Sequence, residues 1–76
     1  MRLTAELAKE VTEELLMILA QNPEGLGTAE LRTALKFLDR NLSGRQIIKV
    51  LRASRKVREQ GGAQGRPTFL FWTLRG

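Results

Sequence analysis

Leu7, Val11, Leu15 and Ile18 recur at helical spacing near the start of the chain, with Leu16 and Leu19 widening the stripe. Glu6, Lys9, Glu10 and Glu13 occupy the other side, so the pattern predicts an amphipathic helix from Thr4 to about Gln21. Thr4 is placed to cap it, and Glu6 sits in its first turn, where the helix dipole favours an acid. Asn22-Pro23-Glu24-Gly25 ends it, because proline disfavours helical geometry in the residue before it. Leu26, between Gly25 and Gly27, has room for a one-residue bridge at most. Thr28 then caps a second helix running to about Leu38, with Leu31, Ala34, Leu35 and Leu38 on one face.

Asp39-Arg40-Asn41-Leu42 is a polar turn. Ser43 opens a third helix through the capping-box spacing Ser43-x-x-Gln46. Ile47, Val50, Leu51 and Ser54 share one face, flanked by Ile48, and the helix is expected over 43–56. Val57 to about Gln60 predicts a short strand, residues 61–67 a glycine-containing loop, and Thr68 to Leu74 a second strand. Two strands joined this way form a hairpin, and a lone hairpin is marginal in water, so it must pack on the helices. Along the second strand Leu70, Trp72 and Leu74 face one way and Phe69, Phe71 and Thr73 the other. Trp72 with Leu74 is expected to complete the core, leaving Phe69 and Phe71 outside. The whole chain, 1–76, reads as one domain.

Composition narrows the chemistry. With 76 residues the chain buries only about 60% of the surface its unfolded form exposes. It has no cysteine and no histidine, which removes disulfides, Cys- or His-based zinc sites and Ser-His-Asp triads. Asp39 is the single aspartate and most glutamates lie on the first helix, so clustered carboxylates for magnesium chemistry are lacking. The expectation is a protein that is not an enzyme and uses no cofactor and no metal. No stretch reaches the roughly 18 apolar residues of a membrane span, and early glutamates interrupt any signal-like run. A soluble, cytoplasmic location is expected, nucleoid-associated in a prokaryote.

Charge changes the picture more. Residues 1–30 hold six carboxylates against Arg2 and Lys9, whereas residues 31–76 hold eleven cations against Asp39 and Glu59. One basic surface and one acidic or neutral surface are expected, which suits a polyanionic partner. The third helix sharpens this, since Arg45, Lys49, Arg52 and Lys56 stand at i, i+4, i+7 and i+11, opposite Ile47 and Leu51. Aligned cations repel by a few tenths of a kcal/mol per pair. No acid lies between Asp39 and Glu59 to relieve them.

The order helix, helix, turn, helix, hairpin resembles the winged helix-turn-helix family of DNA-binding domains over nearly the whole chain. The residues that carry it are Thr28-Ala29-Glu30-Leu31-x-x-Ala34-Leu35 for the supporting helix. Leu42-Ser43-x-x-Gln46-Ile47-Ile48-Lys49-Val50-Leu51-Arg52 matches the recognition helix, and Val57-Arg58-Glu59 before the glycine loop matches the first wing strand. The chain departs from the pattern at Lys56, where many members have glycine, and at Ala53 and Ser54, where many have leucine. The resemblance implies an α+β fold, a small winged helix of three helices followed by a C-terminal β-hairpin wing. It also implies helix 43–56 in the major groove and the 61–67 wing on the backbone or in the minor groove.

On that footing Lys49, Arg52 and Lys56 are candidate phosphate contacts, and Arg45, near the helix start, is placed to bond guanine through two acceptors. Gln46 has two claims on it, adenine and the capping box, of which the cap is the stronger. Arg32, Arg40 and Arg55 read as peripheral. Gly65-Arg66-Pro67 resembles the core of the AT-hook, which puts Arg66 in a narrow minor groove; the same glycines equally suit an exposed turn. The function expected is sequence-preferring binding of double-stranded DNA by a small transcriptional regulator. The alternative is a winged-helix protein-interaction module using the apolar face of strand 68–74, with Phe69 and Phe71 meeting a partner or a second copy.

Overall fold

Thr4 opens the first helix, α1 (Ala5–Ala20), its hydroxyl accepting the Leu7 N–H at 3.1 Å. The structure, a computed structural model, describes residues 2–60 and 70–75. Val11, Leu15 and Leu19 are the residues of α1 that are fully buried, whereas Leu7, Leu16 and Ile18 pack at the edge of the core. At the far end the Asn22 side chain donates to the Ile18 carbonyl at 2.8 Å, closing the helix. The chain then turns through Gly25 at φ +95°. A Cβ there would lie 2.6 Å from Thr73 Cγ2 and 2.9 Å from the Trp72 carbonyl oxygen, so glycine is required on both counts.

That close crossing allows more than a bridge at Leu26. Leu26–Gly27 forms a two-residue strand, β1, paired antiparallel with the last strand. The second helix, α2 (Thr28–Phe37), starts one residue earlier than its predicted cap implied. Gly27 is the N-cap, and its N–H is taken by the Glu30 carboxylate at 3.3 Å. Thr28 is the first helical residue and is buried. Its backbone N–H and its hydroxyl both donate to the Leu70 carbonyl, at 3.1 and 3.3 Å, and its oxygen accepts the Trp72 Nε1–H at 2.9 Å. A residue expected to cap a helix thus joins that helix to the sheet.

Leu38, expected on the buried face of α2, is the C-cap and 47% exposed, and Phe37 beside it is 87% exposed. The helix ends there because Asp39 adopts φ +61° and the Arg40 N–H returns to the Leu35 carbonyl at 2.9 Å. Arg40 has a structural role. It bonds Glu10 and Glu14 of α1, both at 3.0 Å, and ties the turn to the acidic face of that helix.

The third helix, α3 (Gly44–Ala53), has the predicted capping box: Ser43 Oγ accepts from the Gln46 N–H at 3.2 Å, and Gln46 Oε1 accepts from the Ser43 N–H at 3.0 Å. Leu42 and Ile47, at the positions of a hydrophobic staple, both join the core. The helix stops three residues short of the expected Lys56. Ser54 is extended (φ −88°, ψ 125°), which turns the chain so that buried Val57 can enter the sheet.

The strands β2 (Val57–Gln60) and β3 (Phe71–Leu74) pair antiparallel, Val57 opposite Leu74 and Glu59 opposite Trp72. With β1 they make a three-stranded sheet in the order β1-β3-β2, so the expected hairpin is widened by one short strand. The fold is α+β, three helices with a small antiparallel sheet, in a layout consistent with a winged helix. Leu70 and Trp72 are buried and Leu74 packs against the core, as the alternation predicted, while Phe71 is 38% exposed. The start expected for this strand at Thr68, and Phe69 with it, lie outside the described residues.

Candidate nucleic-acid interface

The cations of α2 and α3 define the candidate surface. Arg32 and Lys36 stand four residues apart on α2, and Arg45 and Lys49 repeat the spacing on α3; all four are exposed. Packing of α2 against α3 leaves an open groove of about 730 Å³ between them. Arg32, Lys36 and Arg45 line it together with Thr33, Ser43 and Ile48, and none of its described lining residues is a carboxylate. Arg32 and Lys36 also line a smaller hollow of about 260 Å³ beside Arg40 and Gln46. From the sequence alone Arg32 reads as peripheral, and Lys36 does not stand out. Their i, i+4 spacing was visible; their convergence with Arg45 depends on how the helices cross.

The other predicted site residues divide. Gln46 is half-buried, with its side chain in the Ser43 capping box, which is the stronger of its two claims. Arg52 is exposed yet engaged: Nε donates to Glu59 Oε1 at 2.7 Å and a terminal nitrogen to Oε2 at 3.2 Å. This two-pronged pair raises the Arg52 pKa through the hydrogen bond and the charge of Glu59, and the same bond holds the Glu59 carboxyl below its ordinary range. The acid that relieves the cation stripe therefore comes from β2, seven residues on. Lys56 lies in the turn after α3, where its carbonyl accepts from the Arg75 N–H at 2.8 Å. Arg66 and the 61–67 wing lie outside the described residues.

Chemically the surface offers fixed positive charge and hydrogen-bond donors. Among the described residues no group of three or more His, Cys, Asp or Glu side chains is placed to hold a metal ion. No helix among them is long and apolar enough to cross a membrane. Compared with known proteins, the chain matches no family model, no curated protein and no solved structure.

Proposed function

We propose that the chain is a winged helix-turn-helix protein that binds double-stranded DNA with a sequence preference, as a small transcriptional regulator. The observation that carries the reading is the convergence of Arg32, Lys36 and Arg45 on a groove between α2 and α3 whose described lining has no acid, with Lys49 exposed one turn further along α3. Phosphates on both sides of a major groove about 12 Å wide would meet the two helices, and α3, about 10–12 Å across with its side chains, fits between them. Contact with four phosphates gives a log–log salt slope of about −3.6, so affinity falls on the order of a hundredfold between 50 and 200 mM salt. The test is fluorescence anisotropy of a labelled random duplex at several salt concentrations. A flat salt response, or no binding at low salt, would sink the reading.

A second reading, a protein-interaction module, draws on the exposure of Phe71 on β3. It predicts concentration-dependent self-association or partner capture that Phe71→Ser abolishes, with no dependence on duplex.

A further inference from the structure

We propose that Arg45 and Ile48 form one reading unit, taking a guanine and a thymine within one or two base steps of it, while Arg32 and Lys36 hold backbone without regard to sequence. This rests on the DNA-binding reading and assigns roles within that site. Arg45 and Ile48 are three residues apart on α3, which places their Cβ atoms about 5–6 Å apart on neighbouring turns. Bases stack about 3.4 Å apart along a strand, so the two side chains reach adjacent or next-adjacent pairs.

Ile48 is the one large apolar side chain among the described lining of the α2–α3 groove. It packs partly on the core and stays partly exposed at the groove wall. The polar liners nearby each make a hydrogen bond within their own helix or cap. The Thr33 hydroxyl donates to the Ala29 carbonyl at 3.1 Å, and Ser43 Oγ accepts from the Gln46 N–H. What α3 itself adds to the groove is then a guanidinium, suited to the O6 and N7 of guanine, beside an aliphatic surface, suited to the C5-methyl of thymine. On α2 the apolar side chain beside the cations in the groove is Ala29, a single methyl far smaller than Ile48, so their contacts position rather than specify.

The experiment begins with selection of bound duplexes from a random pool by the whole chain. Each thymine of the enriched site is then replaced singly by deoxyuridine, which removes only the methyl. The expected result is an enriched guanine, with one thymine within two steps whose replacement weakens binding about fourfold, the worth of one buried methyl at about 0.8 kcal/mol. Ile48→Ala should erase that difference, and Arg45→Ala should erase the guanine preference. Arg32→Ala and Lys36→Ala should weaken every duplex alike and leave the preferences intact. Salt-dependent binding with no enriched site, or an enriched site indifferent to methyl removal, overturns the assignment and leaves the DNA reading standing. Absence of salt-dependent binding to any duplex removes both. The deoxyuridine comparison uses the unaltered protein, so it decides the matter even if Ile48→Ala fails to fold.

Discussion

The two halves of the cation stripe Arg45, Lys49, Arg52, Lys56 carry similar charges and lead different lives. In the first half Arg45 and Lys49 lie exposed, and Arg45 meets Arg32 and Lys36 of α2 across a groove. In the second half Arg52 is clasped by Glu59, and Lys56 has left the helix. The spacing i, i+4, i+7, i+11 is a property of one helix, but what each cation does depends on the element packed beside it. Beside α2 there are more cations, and no acid among the described groove lining relieves their repulsion. Beside β2 there is a carboxylate, and the charge is already met.

The comparison depends on the sheet that presents Glu59, and the largest effect comes from dismantling that sheet. Trp72 is almost wholly buried opposite Glu59. Trp72→Ala should cost about 3–5 kcal/mol of unfolding free energy, measured by urea denaturation. Thr28→Val keeps the shape but removes the oxygen that accepts the Trp72 N–H, and should cost about 1–3 kcal/mol. A loss below about 0.5 kcal/mol in that variant would mean that the buried N–H finds another partner.

Smaller changes sharpen the contrast without dismantling it. Glu59→Gln keeps the shape and removes the negative charge, so Arg52 becomes available to phosphate. The salt slope of duplex binding should steepen by about 0.9, one added contact. The smallest effect is on acid stability. Because Arg52 lowers the Glu59 pKa in the folded state, the pair stabilises the fold above the ordinary glutamate range, and that contribution is lost as pH falls through the lowered value. The stability difference between wild type and Glu59→Gln should therefore shrink on acidification, as followed by thermal melts from neutral pH to below pH 4. A difference that stays constant over that range would mean the pair is not formed in solution.

Much of this arrangement was legible in the chain because it is local. The Thr4 cap, the Ser43–Gln46 box and the inward set Leu70, Trp72 and Leu74 all follow from neighbours within a few residues. What was not legible is what distant parts of the chain do to one another. Thr28 looked like a cap because its partner, Trp72, is 44 residues away. The ion pairs of Arg40 are hidden in the sequence because Glu14 and Glu10 are 26 and 30 residues away. In the sequence Glu59 marks only the end of an acid-free stretch; that it returns to Arg52 depends on the turn after Ala53, where Ser54 leaves helical geometry. Arg32 and Lys36 have a spacing visible in the chain, but nothing local says which face of α2 borders α3.

The contrast between the two halves is tested most directly by comparing salt slopes on one duplex for wild type, Arg45→Ala/Lys49→Ala and Arg52→Ala. The account predicts that the double variant loses about 1.8 of the slope, two contacts, while Arg52→Ala leaves it unchanged. If Arg52→Ala flattens the slope as much per residue as the other two, Glu59 does not withhold Arg52 and the division within α3 is wrong.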